Sequence, residues 1–289
     1  MSNITSPLRY PGGKSSLTKF LTDVLAVNQL SGCTFIEPFC GGAGAALNLL
    51  FSGTVSKIII NDADFSIYAF WYSLLNSTEQ LIECIYDTPI NIEEWYIQKN
   101  IYLNSKDIFK RGFATFYLNR CNISGILKAN PIGGLHQAGK WKINARFNKD
   151  NLVYKIKAIA SKRDKIDVFC LDIFDFLNKI DLYCAEKKFI YFDPPYYKHG
   201  SKLYMNSFNN EQHHQLADFL KCSHINSWIM TYDDTEYIRS AYSYANIGCF
   251  SLNYFAHKAK KGVELLIYPH GLAVPFLPKP KYGLAEHVQ

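Results

Sequence analysis

The residue types best suited to chemistry in this sequence lie at the end of an apolar segment. Asp193-Pro194-Pro195-Tyr196 follows residues 189–192, a run that predicts a buried strand. Two prolines fix φ at about −65° and lack N–H donors, so the strand ends there and its carbonyls stay free to accept hydrogen bonds. An amino group on a heterocycle needs acceptors for its hydrogens and an aromatic face for its ring. The motif therefore predicts a site for such an amine; a simple proline stop after a core strand is the alternative.

A glycine turn earlier in the chain has the residue types of a nucleoside site. Gly41-Gly42-Ala43-Gly44 follows a predicted strand at residues 34–36, and glycine lets a ligand approach the backbone closely. Asp62 follows a second apolar run and comes 21 residues after Gly41, near the spacing of about 20 at which an acidic side chain reaches a ribose. The full dinucleotide fingerprint is absent, so a plain structural turn is the alternative.

Strands and helices alternate around these motifs in the order expected of a parallel α/β sheet. The hydrophobic periodicity predicts helices over 15–25, 45–51, 65–75 and 211–220, strands over 34–36, 57–60, 167–171, 189–192 and 228–231, and a hairpin of 247–254 with 263–268. Ligands of such a sheet bind beyond the carboxyl ends of its strands. Asp62, Asp172 and Asp193 each follow a predicted strand, so we expect all three near one site.

This alternation is interrupted between about residue 77 and residue 165. That stretch is rich in basic, aromatic, Asn and Gly residues and predicts an inserted, partly helical domain. We therefore divide the chain into one domain formed by residues 1–76 and 166–289 and an inserted domain formed by residues 77–165. The tail from Pro275 to Gln289 is predicted to be extended or loose.

The composition is that of a globular protein with a mild basic excess. A net charge of +6 permits a polyanionic partner without requiring one. The eight cysteines are scattered singly, with no Cys/His cluster at metal-ligand spacing, which predicts reduced thiols and no bound metal. No segment approaches the ~20 apolar residues that span a bilayer, and the N-terminus has no signal-like stretch. We therefore expect a cytoplasmic protein that does not contact membranes.

Taken together, the motifs resemble one enzyme family. Residues 10–14 (YPGGK), 35–44 (FIEPFCGGAG), Asn61-Asp62 and Asp193-Pro194-Pro195-Tyr196, in this order, resemble the Dam-type (alpha-class, D12) site-specific DNA adenine methyltransferases. The resemblance covers about residues 7 to 268. It implies a Rossmann-like S-adenosyl-L-methionine-dependent methyltransferase sheet with an inserted, mainly helical target-recognition domain. It also implies methyl transfer to the 6-amino group of an adenine flipped out of double-stranded DNA.

The same resemblance implies roles for single residues. Tyr10 and Lys14 would help to hold the cofactor, Asp62 would bind its ribose, and Asp172 would lie near its adenine. The residues implied around the methionine part of the cofactor are Glu37, Pro38, Phe39, Cys40, Gly41, Gly42 and Gly44. Asp193 would face both the cofactor and the target amine, Pro194 and Pro195 would complete the catalytic motif, and Tyr196 would stack on the flipped base.

The inserted segment is where we expect the contacts with DNA. Asn119 and Arg120 lie in a run, residues 116–120, that resembles the start of target recognition in the family; residues 121–125 (CNISG) then depart from the GATC-type members. The predicted DNA-binding residues are Asn119, Arg120, Asn122, Lys140, Lys142 and Arg146, interleaved with the aromatic residues Phe113, Phe116, Tyr117, Trp141 and Phe147. The alternative is that the aromatic residues form a core and the charges a solvated face. The Lys-rich turn at 257–262 is equally an ordinary turn or a phosphate contact, and His213 and His214 are interpreted as structural or exposed.

Other functions share part of this pattern. The reaction is an in-line displacement on an activated methyl group, which needs alignment more than acid–base power and needs no metal. The same chemistry suits the 4-amino group of cytosine, an adenine in RNA or a glutamine in a protein. A DNA-binding module on a decayed methyltransferase scaffold is the alternative of another class. A cognate restriction endonuclease is the expected functional partner of a modification enzyme.

Overall fold

A seven-stranded mixed sheet forms the centre of the molecule. The computed structural model describes residues 6–10, 14–183, 187–197, 208–254 and 260–275. Its strands are β1 (Thr34–Glu37), β2 (Lys57–Asn61), β3 (Ile166–Phe169), β4 (Lys188–Phe192), β5 (Trp228–Asp233), β6 (Asn246–Tyr254) and β7 (Lys260–Tyr268). Its helices are α1 (Thr18–Val27), α2 (Gly44–Phe51), α3 (Phe65–Asn76), α4 (Thr78–Asp87), α5 (Ile92–Asn104), α6 (Ile108–Cys121), α7 (Lys149–Ala160), α8 (Ile173–Tyr183), α9 (Asn210–Cys222) and α10 (Glu236–Ala241).

The order of the strands determines where a ligand site must lie. The sheet runs β3-β2-β1-β4-β5-β7-β6; β1 to β5 are parallel, and β7 is antiparallel to both of its neighbours. The chain moves outward from β1 to β2 and β3 and then returns to β4 on the other side of β1. A crevice opens at the carboxyl ends of the strands where the direction of winding reverses in this way. The predicted α/β class and the hairpin of β6 with β7 are confirmed.

Helices cover both faces of the sheet, which explains why its strands are apolar at consecutive positions. Successive residues of a strand point to opposite faces. Phe35 and Ile58 belong to one hydrophobic cluster, whereas Ile36 and Ile59, the next residues along the same strands, belong to another. All four side chains are fully buried. Strands buried on two faces need this continuous run of apolar residues.

Strand β3 ends at Phe169, before the predicted end at residue 171. The buried side chain of Asn61, the last residue of β2, accepts a hydrogen bond from the Leu171 amide at 2.9 Å and donates one to the Leu171 carbonyl at 3.1 Å. The predicted end of the strand is wrong because the backbone of Leu171 is hydrogen-bonded to the Asn61 side chain and not to the backbone of a neighbouring strand. Asn61 thereby fixes the start of the loop that follows β3.

The segment between β2 and β3 is mainly helical and packs on the sheet. Phe116 of α6 is fully buried and stacks on Phe70 of α3 with ring centroids 5.6 Å apart. Both rings belong to the hydrophobic cluster that contains Phe35 of β1. Of the five aromatic residues predicted as core or as DNA contacts, Phe113, Phe116, Tyr117 and Phe147 are buried, whereas Trp141 is 65% exposed. The division into two domains stays a prediction.

Some expectations concern parts of the chain outside the described residues. These are residues 11–13 of the first motif, 257–259 of the Lys-rich turn and 276–289 of the tail. Within the described ranges, no helix is long and apolar enough to cross a membrane. Over the same ranges, no group of three or more His, Cys, Asp or Glu residues could hold a metal ion.

Candidate active site

A cavity opens at the carboxyl ends of β1, β2 and β4, where the winding of the sheet reverses; its open space, together with the solvent at its mouth, is about 770 Å³. Ten of the predicted site residues line it: Tyr10, Lys14, Glu37, Phe39, Cys40, Gly42, Gly44, Asp62, Asp193 and Pro195. Ala43, Ala63, Asp64 and Phe208 also line it.

The glycine turn between β1 and α2 forms one wall of the cavity. Gly41 has a φ of +43°, and a Cβ at this position would lie 2.5 Å from the ring of Tyr10. Both features require glycine. The Gly41 amide donates to Asp62 Oδ2 at 2.9 Å, and its carbonyl accepts from the indole N–H of Trp71 at 2.9 Å. Gly41 itself lies behind the cavity lining and fixes its shape.

Asp62, at the end of β2, projects its carboxylate into this wall. The second oxygen, Oδ1, accepts a hydrogen bond from the Asp64 amide at 3.0 Å. Burial, followed by the charge of Asp64, raises the pKa of Asp62 to about 7, although the two backbone hydrogen bonds oppose the rise. Asp62 is therefore a carboxyl group whose charge depends on what occupies the cavity.

Glu37, the last residue of β1, is buried at the floor of the cavity. Its Oε2 has no hydrogen-bond partner among the residues that the structure describes. Burial, and then the nearby Asp193, raise the pKa of Glu37 well above its usual range. A buried polar atom without a partner is costly, so this oxygen is suited to accept from a ligand.

Asp193, directly after β4, is held by one carboxylate oxygen. Thr231 of β5 donates to Oδ1 at 2.9 Å, and the ammonium of Lys14 lies 3.4 Å from the same atom. The Thr231 hydroxyl also lies 2.8 Å from that of Tyr191, so it is fixed from two sides. Burial raises the pKa of Asp193, whereas Lys14 and the Thr231 hydrogen bond lower it.

Lys14 lines the cavity, but its ammonium group is bound by other side chains. It donates to the hydroxyl of Tyr196 at 2.6 Å and to Glu264 Oε1 at 3.2 Å. The sequence pattern did not identify Glu264 as a site residue. Its signal was a single carboxylate within the apolar run of residues 263–268, of which 264–267 are buried in β7.

Aromatic side chains form the wall next to Asp193. The ring of Tyr196 lies 6.2 Å from that of Tyr232, and Phe208, which lines the cavity, packs edge-on against Phe39 at 5.6 Å. His213 of α9 is buried against the Tyr232 hydroxyl, and burial lowers its pKa to about 4. His213 is thus a neutral structural residue of this wall.

Besides Gly41 and Tyr196, three more of the predicted site residues do not line the cavity. Pro38 and Pro194 each adjoin a lining residue in the chain, and the Pro38 carbonyl accepts a hydrogen bond from the Asn61 side chain at 3.0 Å. Asp172 is exposed, and its carboxylate accepts from the Phe174 amide at 2.9 Å at the start of α8. Its side chain therefore caps a helix.

Two of the predicted DNA-binding residues are fully engaged inside the molecule. Asn119 bonds the backbone of Arg9 on both sides, accepting from its amide at 2.7 Å and donating to its carbonyl at 2.9 Å. Asn122 accepts from the Trp95 indole at 2.7 Å and donates to two carbonyls of the following loop. Both asparagines are at most 1% exposed, so direct DNA contact by their amides is corrected to a structural role.

The predicted basic residues lie at or near the surface. Lys140, Lys142 and Arg146 are exposed, and the Lys140 ammonium lies 5.7 Å from the ring of the exposed Trp141. Arg120 is half-buried and donates to the carbonyls of Arg146 and Pro7. Burial, followed by the charge of Arg9, lowers the pKa of Arg120 to about 10. An anion bound here would relieve this repulsion.

Comparison with known proteins gives one consistent result. The sequence model of the D12 class N6 adenine-specific DNA methyltransferases matches residues 10–254. The chain is 25% identical over 235 residues to "Type II methyltransferase M.MjaIII" of Methanocaldococcus jannaschii, covering 74% of this chain and 78% of the relative. It is 24% identical to "Type II methyltransferase M.CviBI" of Paramecium bursaria Chlorella virus NC1A, covering 81% and 85%. It is 25% identical to "DNA adenine methylase" of Escherichia coli K12, covering 73% of each chain.

Proposed function

The chain belongs to the D12 class of N6 adenine-specific DNA methyltransferases, and on that premise we propose that it methylates an adenine flipped out of double-stranded DNA into the Asp193 site. The observation that carries this proposal is the position of Asp193. Its carboxylate lies at the switch point of the sheet, on the lining of the same cavity as Asp62 and Glu37. A target amine and a nucleoside cofactor would therefore meet there.

We propose S-adenosyl-L-methionine as the cofactor because the residues of the cavity suit its parts. Asp62 would accept from the ribose hydroxyls, and the unpartnered Glu37 Oε2 would accept from the amino group of the methionine part. The backbone of the glycine turn would follow the chain between them. When bound, this cofactor supplies a methyl group on a positively charged sulfur. Asp172 caps α8, so we do not place it in this site.

Asp193 would bind the target amine and stabilise the charge that it acquires. Thr231 and Lys14 both approach Oδ1, so we place the adenine amine at Oδ2, with the Pro194 carbonyl as its second acceptor. Hydrogen bonds from the amine to these acceptors favour the pyramidal nitrogen, whose lone pair is available for attack. The carboxylate then stabilises the positive charge that develops on the nitrogen. Proton loss can follow the transfer.

Stacking and exclusion of water would come from the aromatic wall. The Tyr196 ring would stack on the flipped base, which offsets part of the few kcal/mol that flipping costs. Its hydroxyl is anchored to Lys14, so the ring is already held in place before a base arrives. This preorganisation reduces the ordering cost of binding.

The basic surface of the helical segment would hold the DNA backbone. We propose phosphate contacts for Arg120, Lys140, Lys142 and Arg146, the members of the predicted set that reach the surface. Trp141, 65% exposed between two lysines, would stack on a base or sugar next to the target. Phosphate contacts fix position, and base contacts supply the specificity.

Transfer of a tritiated methyl group from S-adenosyl-L-methionine to unmethylated genomic DNA tests this function. We expect label in N6-methyladenine with the wild-type chain and none above background with Asp193→Ala. Label in cytosine, RNA or protein alone would contradict the adenine assignment. Tight DNA binding with no transfer would favour the DNA-binding module.

We also propose a restriction endonuclease of the same specificity as the functional partner. Support comes from two relatives that are named Type II methyltransferases. The test is whether DNA from cells that express the chain resists one endonuclease out of a panel. The panel must include endonucleases that cut at every methylated site found. If the DNA resists none of them, the proposed partnership is contradicted. We also propose that the protein acts in the cytoplasm, where it would meet the DNA.

A further inference from the structure

A buried lysine lies between two carboxylates that come from different strands. The Lys14 ammonium is 3.2 Å from each oxygen of Glu264 on β7 and 3.4 Å from Asp193 Oδ1 at the end of β4. Lys14 is 4% exposed and Glu264 is 1% exposed. Ions removed from water at this depth cost several kcal/mol each unless they are paired. The three charges therefore depend on one another.

The Lys14 ammonium lies slightly closer to Glu264, at 3.2 Å from both carboxylate oxygens, than to Asp193 Oδ1, at 3.4 Å. Both distances exceed the roughly 2.7–2.9 Å of charge-assisted N–H···O hydrogen bonds, so neither carboxylate holds the lysine in a tight ion pair. Lys14 thus gives Asp193 a favourable field without occupying it as a tight ion pair would. A carboxylate that must accept hydrogen bonds from an adenine amine needs this freedom.

The Lys14 ammonium also holds Tyr196 in place. Lys14 donates to its hydroxyl at 2.6 Å. Burial raises the pKa of both Asp193 and Glu264, and hydrogen bonding with Tyr196 opposes that rise in both. The hydroxyl is thus held among all three charges. Any displacement of Lys14 would move both the acceptor of the target amine and the ring that we expect to stack on the base.

The groups that face Asp193 come from five elements. They are Lys14 ahead of α1, Glu37 at the end of β1, the hydroxyls of Tyr191 and Tyr196 on and after β4, Thr231 on β5, and Glu264 on β7. Lys14 is the cation that acts on both Asp193 and Glu264. Removing its charge or that of Glu264 must therefore act on Asp193 with opposite signs.

We propose that Glu264 is a positioning residue for methyl transfer, which shares Lys14 with Asp193 and so keeps the acceptor carboxylate free of a tight ion pair, with Tyr196 anchored beside it. The proposal rests on the proposed role of Asp193 in accepting the amine. It assigns a function to the antiparallel strand β7, which contributes no residue to the cavity lining among the described residues and acts from behind it through Lys14.

A titration of the free protein tests the coupling without any turnover. The side-chain carboxyl signal of Asp193, followed by ¹³C NMR and identified by its loss in Asp193→Asn, reports the pKa directly. We expect Glu264→Gln to lower this pKa, because a negative neighbour is lost and Lys14 moves closer. We expect Lys14→Met to raise it, because the cation is lost while Glu264 remains. Asp167→Asn, which removes a β3 carboxylate that pairs with Lys57 of β2, should leave the pKa of Asp193 unchanged.

Steady-state kinetics then separate positioning from a structural role. For Glu264→Gln we expect kcat to fall about tenfold or more, KM for S-adenosyl-L-methionine to stay within about twofold, and the acidic limb of kcat to move to lower pH. Lys14→Met should move that limb to higher pH. In the double variant, Glu264→Gln should add little to Lys14→Met, because it acts through the lysine.

Clear outcomes oppose the proposal. The proposal would be overturned if Glu264→Gln and Lys14→Met shifted the pKa of Asp193 in the same direction. A wild-type kcat in Glu264→Gln would also overturn it. If Glu264→Gln does not fold, Glu264→Asp retains the charge on a shorter side chain, and a wild-type kcat in that variant would count equally against positioning. An absence of transfer in the wild-type protein together with opposite pKa shifts would instead refute the proposed function and leave the coupling intact.

Discussion

The carboxyl edge of the sheet and the helical segment between β2 and β3 use the same polar residue types for different purposes. At the sheet edge, Asp62, Asp193 and Glu37 come from three strands and face one cavity. In the helical segment, Asn119 of α6 and Asn122, which directly follows α6, bond only to backbone groups and a tryptophan side chain around them. Burial is therefore common to both groups, but only the first has atoms left for a ligand.

The difference comes from what positions each side chain. The ends of parallel strands meet at one edge regardless of the loops between them, so topology alone collects the residues that follow them. On a helix, a residue's neighbours depend on which face packs inward, and α6 is buried almost all round. A polar residue there is used to hold adjoining loops. Its mutation should harm folding, whereas mutation at the sheet edge should harm chemistry.

The largest expected effect is on the reaction rate at the sheet edge. Asp193→Asn removes the charge that would stabilise the developing cation, so we expect single-turnover methyl transfer to slow by about 10²–10³-fold. Because burial raises the pKa of this carboxyl, the neutral amide should leave thermal stability unchanged or slightly higher. A large loss of stability, in place of a loss of rate, would remove the contrast between the two regions.

The next largest effect is on stability in the helical segment. Asn122→Ala leaves the Trp95 indole and two loop carbonyls without partners, and we expect the free energy of unfolding to fall by about 3 kcal/mol. Asn144→Ala, at an exposed position of the same segment, should change it by no more than about 0.5 kcal/mol. Denaturant unfolding measures both. Equal stabilities would show that Asn122 is not a structural residue.

Cofactor affinity at the sheet edge should depend on pH through Asp62. Its pKa of about 7 means that the carboxyl must lose a proton before it can accept from ribose hydroxyls with full charge. Calorimetric affinity should therefore rise with pH up to about 7 and then level off. Asp62→Asn should weaken binding by about 1–3 kcal/mol and abolish this dependence. Asp64→Asn, which removes a repelling charge, should move the levelling to lower pH; an unchanged profile in both variants would refute the role of Asp62.

The smallest effects concern DNA affinity. Lys142→Ala removes an exposed charge from the proposed contact surface, so binding should weaken and the slope of log K against log salt should decrease by about 1. Lys165→Ala removes an exposed lysine directly before β3, at the amino end of that strand, and should leave the slope unchanged. Affinity for S-adenosyl-L-methionine should not change in either variant. A fall in both affinities would indicate misfolding.

The sheet edge is largely predictable from sequence because its signals are local. An apolar run followed by Asp193-Pro194-Pro195-Tyr196 identifies both a strand and its end, and positive φ at Gly41 needs glycine. Glu264 is not predictable in this way. It pairs with Lys14 across 250 positions, and nothing near it in sequence indicates that partner. In the helical segment, residue type does not separate the buried Asn122 from the exposed Asn144, because packing decides.

Sequencing, with modified-base detection, of DNA from cells that express the chain tests the chemistry most directly. Cells that express Asp193→Ala to the same level are the control. We expect N6-methyladenine at one short sequence motif with the wild-type chain and at no such motif with the variant. Modified cytosine, or unmodified DNA alongside normally folded wild-type protein, would contradict adenine methylation at the Asp193 site.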